Sequence, residues 1–237
     1  MNNKDNQRIA ILASMKEEIS LLLSYVKIHS EKIELNSSTW KGELFKKKVI
    51  VKLTGIGKVN AAMSTQHLIS NHKISCIYNI GIAGGISKKV NIGDVICVDK
   101  AIQSDFDLTI FGLKQGQIPK IKKYYFPTSF KKETLNSLQS KYPIKFGNII
   151  SADQFIGDRK EVVNLGKKFN ALAKDMETAA IAHVCYVNKI PFIAIRGISD
   201  NSGKFAIDEY KEFLKLAASN STKVLLKIIK NQTIKKR

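Results

Sequence analysis

Short apolar runs alternate with longer stretches whose apolar residues fall at helical spacing, along nearly all of the 237 residues. Arg8–Ala13 (RIAILA) reads as a buried strand, and residues 17–26 follow with Ile19, Leu22, Leu23 and Val26 on one helical face. The pattern repeats: strand 48–53, Gly55-Ile56-Gly57, helix 59–70; strand 76–82 ending in Ala83-Gly84-Gly85; strand 93–101. Residues 105–128 carry Gly, Pro and aromatics and read as a long ordered loop. Helix 129–139, strand 145–151, strand 171–175, helix 176–187, strand 191–198 and helix 207–230 complete the chain. Strands alternating with helices predict an α/β fold with a central mixed, largely parallel twisted sheet flanked by helices. No low-complexity linker or repeat divides it, so one domain is expected over 1–237, with residues 1–7 and 231–237 fraying.

Several functional classes drop out. Cys76, Cys97 and Cys185 are odd in number, far apart and set in apolar runs, which excludes a disulfide scaffold and argues against zinc. The four histidines form no HExxH or paired-Cys pattern, so no metal is expected. The apolar run after the polar start is too short for a signal peptide, and no stretch reaches a membrane span of roughly 18–20 apolar residues. No membrane association and a cytoplasmic setting are expected. The formal charge of +19, from 39 Lys plus Arg against 20 Asp plus Glu, invites a nucleic-acid reading. The lysines are scattered through most segments, however, and no helix-turn-helix, RNP or zinc signature accompanies them. Specific nucleic-acid binding is not expected.

In α/β sheets ligands bind beyond the carboxyl ends of strands. Three carboxylates fall there: Glu18, Glu177 and Asp200. Each has an ordinary role open to it, as a first-turn acid at a helix N-terminus or as a cap. Convergence of all three on one crevice would change their meaning. Such a set suits acid–base chemistry at an acetal-like carbon, with one carboxylic acid protonating a leaving group and a carboxylate activating water. Glycosidic hydrolysis is one such reaction among several.

The glycine segments are less specific. Gly55-Ile56-Gly57 lacks the third glycine of a dinucleotide fingerprint, and neither a P-loop nor a GxSxG elbow is present. Gly81–Gly85 reads either as a tight loop or as backbone that a ligand approaches closely. Phe106, Phe111, Tyr124, Tyr125 and Phe126, in or near the long loop, suit an oligomer contact or a pocket lid.

Read as an ordered set, the segments resemble one family. They are ILASMKEEI (11–19), TGIGKVNAA (54–62), NIGIAGG (79–85), VNIGDVICVD (90–99), SDFDLTIFG (104–112), GQIP (116–119), SADQFI (151–156), AKDMETAAIAHVC (173–185) and RGISD (196–200). The chain resembles the bacterial 5′-methylthioadenosine/S-adenosylhomocysteine nucleosidases of the nucleoside phosphorylase superfamily, from about residue 8 to about residue 230. The resemblance implies hydrolysis of the N-glycosidic bond, giving adenine plus 5-methylthioribose or S-ribosylhomocysteine, with no cofactor. It implies that Glu18 deprotonates the attacking water and that Asp200 is the general acid at adenine N7, with Ser199 and Arg196 orienting that region. Glu177 would accept ribose hydroxyls, Met176 would pack on the sugar, Phe155 would stack on adenine, and the Ile156 backbone would read its edge. Met15, Ile56 and Tyr210 would line an apolar 5′-thio pocket completed by Leu108, Phe111 and Pro119 of a second subunit, making a homodimer. At Ile82, where some relatives carry a hydroxyl residue, only the backbone is left to bond a ligand or water. Two relatives of the reaction stay open at this point: a phosphate-dependent purine nucleoside or methylthioadenosine phosphorylase, and an aminofutalosine nucleosidase.

Overall fold

All seven apolar runs read as strands lie in one sheet. The computed structural model describes residues 7–121, 123–138, 143–203 and 205–234. In chain order the elements are β1 (Arg8–Ala13), α1 (Lys16–Leu23), β2 (Lys27–Glu34), β3 (Ser37–Leu44), β4 (Lys47–Leu53) and α2 (Lys58–Asn71). Then come β5 (Ile74–Gly85), β6 (Val95–Gln103), β7 (Phe126–Pro127), β8 (Ile144–Ser151) and α3 (Arg159–Phe169). Last are β9 (Ala171–Asp175), α4 (Thr178–Val187), β10 (Phe192–Asp200) and α5 (Ala206–Ile234).

Strand β5 is the hub. It runs parallel to β1 on one side and to β10 on the other, and its last residues pair antiparallel with β9 (Gly84 with Lys174, Gly85 with Ala173). From β10 the sheet continues through β6, β8 and β9 back to β5. Five strands thus close a ring, while β1, β4, β3 and β2 extend from it as a wing. Closure brings the carboxyl ends of β5, β9 and β10 to one rim.

Alternation along β1 decides which helices cover which face. Ile9, Ile11 and Ala13 pack with Ile19 and Leu22 of α1 and with Val224, Leu225 and Ile229 of α5. Ala10 and Leu12 point the other way, with Ala61 and Leu68 of α2 and Ile181 of α4. Burial on both faces is why the strands read as nearly unbroken apolar runs.

The structure departs from the sequence reading in several places. Strands β2 and β3 were not expected. β2 is a mostly exposed edge strand, KIHSEKIE, whose charges mask any alternation and discourage edge pairing. The turns flanking β3 place Leu35-Asn36 and Phe45-Lys46 at positive φ, without the glycines that normally announce such hairpins. Helix α3 was also unread, although Asp158 caps it, accepting from Lys160 N at 2.8 Å, and left-handed Asn170 ends it. Within 129–139 there is only a 3-10 turn at Lys132–Ser137, and residues 139–142 lie outside the described residues. That segment is pinned to the sheet before a helix can start, by Thr128 Oγ1 on Val98 O and Ser129 N on Phe192 O. The loop 105–128 contains a 3-10 turn at Thr109–Phe111 and strand β7. Helix α5 runs on to Ile234, past residue 230, and residues 1–6 and 235–237 lie outside the described residues. Among the described residues no helix is long and apolar enough to cross a membrane.

Candidate active site

A cavity of about 500 Å³ opens at the shared rim. Its wall takes Ser14 and Met15 from the end of β1, Ile82, Ala83 and Gly84 from β5, Lys174 and Asp175 from β9, and Ser199 and Asp200 from β10. Glu18, Glu177 and Asp200 all line it and are nearly inaccessible to solvent, at 2%, 6% and 2% exposure.

Glu18 sits in the first turn of α1 and is oriented by three backbone amides. Ser14 N and Met15 N donate to Oε2 at 2.8 and 3.0 Å, and Ile82 N donates to Oε1 at 2.9 Å. The Met15 contact is half of a capping box, so the bond that starts the helix also aims the carboxylate. The Ile82 contact uses only backbone, which is why an apolar side chain serves at that position.

Glu177 lies at the junction of β9 and α4. Its Oε1 accepts from Gly57 N at 2.9 Å, at the N-terminus of α2, where the helix dipole favours negative charge. The next amide, Lys58 N, donates to Asp153 Oδ1 at 2.8 Å and so anchors the loop carrying Phe155 and Ile156. Burial, with the Asp175 carboxylate beside it, pushes the Glu177 carboxyl up to about 7, against the opposing pull of Arg196.

Asp200 ends β10. Its Oδ2 accepts from Ser199 Oγ and its Oδ1 from Ser202 N, both at 2.8 Å. Burial raises its carboxyl above the usual range, and these bonds only partly oppose the shift. Gly84 makes room: a Cβ there would meet Ser202 Oγ and would stand 2.8 Å from Asp200 Oδ1. Gly81, at φ +156°, does the same for Glu18 Oε1 and Arg196 Nη1. Gly81 and Gly84 of the NIGIAGG segment thus leave room for polar side chains, Glu18 and Asp200 among them, that press against its backbone.

Behind the wall lies a fully buried Arg196. Its Nη2 pairs with Asp175 Oδ2 at 2.8 Å and donates to Asn79 Oδ1 at 2.5 Å, and its Nε donates to Thr178 Oγ1 at 3.0 Å. Asp175 also accepts from Ser151 Oγ and Thr178 Oγ1. Arg196 does not line the cavity, in contrast to the other site residues expected on this chain. Met15, Ile56, Ile82, Phe155, Ile156, Met176, Ser199 and Tyr210 all line it. Leu108, Phe111 and Pro119 do not, and Phe111 is 76% exposed. The sequence reading missed Asp175, Asn79, Thr178 and Ser151, and also Ile207 and Lys211 on the wall. One signal was available: an arginine inside the apolar run PFIAIRGI must find a buried counter-charge.

The model of the phosphorylase superfamily matches residues 8–230. The 5′-methylthioadenosine/S-adenosylhomocysteine nucleosidase of Halalkalibacterium halodurans is 35% identical, over 94% of this chain and 97% of that protein. The chain belongs to this nucleosidase family. The crystal structure of the Neisseria meningitidis family member, in complex with methylthio-immucillin-A, superposes with a TM-score of 0.89 at 33% identity, covering 95% of this chain and 99% of that one. The native futalosine hydrolase of Helicobacter pylori superposes at 0.87, with 31% identity and coverage of 95% and 98%. The nucleosidase fold is thus shared with an enzyme named for a different nucleoside.

The raised Glu177 carboxyl has a consequence for stability. An acid whose folded value lies above its unfolded 4.5 contributes stability that is present below 4.5 and lost as pH rises through about 7. Glu177→Gln keeps the acceptor for Gly57 N and removes the buried charge. At pH 8 it is expected to be more stable than wild type by about 1–3 kcal/mol, with the gap closing toward pH 4.5. Thermal melts across pH check this, and a gap independent of pH would contradict it.

Proposed function

We propose that the chain hydrolyses the N-glycosidic bond of 5′-methylthioadenosine and S-adenosylhomocysteine, releasing adenine with 5-methylthioribose or S-ribosylhomocysteine. The observation carrying this reading is the convergence of Glu18, Glu177 and Asp200 on one cavity whose remaining wall is largely apolar. Asp200, whose carboxyl burial holds above its ordinary value, gives its proton to adenine N7 as the C1′–N9 bond breaks. The bonding electrons leave with the base. Water adds to the electron-poor C1′ and yields its proton to Glu18, and exchange with solvent resets both groups. Glu177 accepts hydrogen bonds from ribose hydroxyls, and Met176 packs on the sugar. Phe155, 56% exposed, provides a face for adenine, and the Ile156 backbone meets its edge. Ser199 holds Asp200, and Arg196 positions the β9–α4 junction.

Hydrolysis is favoured over phosphorolysis by charge. Holding phosphate beside the ribose calls for convergent cations. Among the described residues the cations on the cavity wall are Lys174 and Lys211, and Lys174 Nζ is bonded to Gln154 O. The buried Arg196 is matched by Asp175. The three cysteines are free thiols, in keeping with a reducing cytoplasmic setting.

The site reading extends to a homodimer. Val59 and Met63, one turn apart on α2, are 76% and 43% exposed, and Tyr186 and Val187 at the end of α4 are 40% and 58% exposed. Ile110 and Phe111 protrude at 88% and 76%. Exposed large apolar side chains of this kind suit an interaction surface. A second copy covers it and brings its Leu108, Phe111 and Pro119 to the 5′ side of the cavity.

Adenine release should fall at least a hundredfold in Asp200→Asn and in Glu18→Gln, as for loss of a general acid or base. Full activity in either variant contradicts the scheme. Sedimentation velocity should give twice the 26.5 kDa chain mass. Val59→Glu should shift it toward the monomer and raise KM for methylthioadenosine. A wild-type monomer of full activity contradicts the shared pocket.

A further inference from the structure

Helix α5 presents Ile207, Tyr210 and Lys211 to the cavity, positions that share one helical face. Ile207 and Tyr210 continue the apolar wall of Met15 and Ile56, with Tyr210 Oη 3.4 Å from Met15 Sδ. Lys211 adds a cation to that wall. It is exposed and forms no ion pair among the described residues, whereas Lys174 is buried and bonded to Gln154 O. A thioether seated against Met15 and Tyr210 leaves anything beyond its sulfur running past this helix face toward solvent. Glu17, exposed on the first turn of α1, stands next to Glu18 and two residues from Met15, both of the cavity wall, without lining it itself. Charges of both signs, Lys211 and Glu17, are therefore borne by the two helices that supply this part of the wall.

We propose that Lys211 is a specificity residue that reads a carboxylate at the end of the 5′-thio tail, so that carboxylate-terminated thioethers are favoured over alkyl ones. This rests on the nucleosidase reading of the cavity. An α-amino-acid tail supplies a carboxylate for Lys211 and an ammonium for Glu17, and a tail ending in a carboxylate alone uses only Lys211. Because the pair is solvent-exposed, its contribution is modest and screened by salt.

The test compares kcat/KM for S-adenosylhomocysteine, 5′-(2-carboxyethyl)thioadenosine and the neutral 5′-propylthioadenosine. In Lys211→Met the ratio of each charged substrate to the neutral one should fall about three- to fivefold, through KM. Lys211→Arg should restore the ratio and Lys211→Glu should lower it further. Glu17→Gln should lower the ratio for S-adenosylhomocysteine alone. In wild type the ratios should shrink as salt is raised. Ratios unchanged in Lys211→Met and Lys211→Glu overturn the proposal while leaving the nucleosidase reading intact. Wild-type protein releasing adenine from none of the three substrates overturns that reading, and this one with it.

Discussion

A guanidinium with no access to water is the constraint around which this site is arranged. Arg196 is 0% exposed, and a matched charge makes such burial tolerable, although its Nη1 has no hydrogen-bond partner among the described residues. Asp175 supplies the charge, and Asn79 and Thr178 accept further donors. Those four residues come from β10, β9, β5 and the first turn of α4, so one polar node fixes four elements relative to each other. Each of the three cavity carboxylates is indexed to it. Glu177 follows Asp175 by two residues, and Asp200 follows Arg196 by four. Glu18 Oε1 and Arg196 Nη1 both border the bare α-carbon of Gly81. Buried ion pairs contribute little net stability, so the role of this one is geometric. Removing one partner would strand the other, at a cost of about 3–5 kcal/mol.

The same burial that demands the ion pair sets the chemistry. Asp200 and Glu177 are both raised, chiefly because they are withdrawn from water. Glu177 feels Asp175 as a second carboxylate, opposed by Arg196 and by the Gly57 amide. A pocket lined by several carboxyl groups disfavours an anionic nucleophile and suits positive charge developing on a sugar. It exists inside a chain of formal charge +19. The excess lysines therefore describe the exterior, and the reactive centre depends on a few of the 20 acidic residues.

Much of this was legible from residues alone, for identifiable reasons. Strands buried on both faces must be apolar throughout, so RIAILA and PFIAIRGI show themselves. Edge strand β2 has no such requirement and stayed invisible, as did the turns at Leu35-Asn36 and Phe45-Lys46, which adopt left-handed backbone without glycine. Helix α3 carried a readable signal in Asp158 and Glu161 that periodicity alone did not expose. Within the site, Glu18, Glu177 and Asp200 were found because strand ends are where ligands bind. Asp175 and Asn79 were not, because a supporting shell is defined by contacts between residues distant in sequence: Asn79 and Arg196 are 117 residues apart. Lys211 escaped because one lysine among so many carries no signal until the wall of the cavity is known.

The central claim is that this carboxylate-lined cavity directs water, and not phosphate, to C1′. Incubating the enzyme with 5′-methylthioadenosine in ¹⁸O-labelled water, with and without phosphate, and analysing the sugar product by mass spectrometry tests it most directly. The account requires free 5-methylthioribose carrying one ¹⁸O at C1, formed at the same rate with or without phosphate. A strict need for phosphate, with unlabelled 5-methylthioribose 1-phosphate as the product, would contradict it.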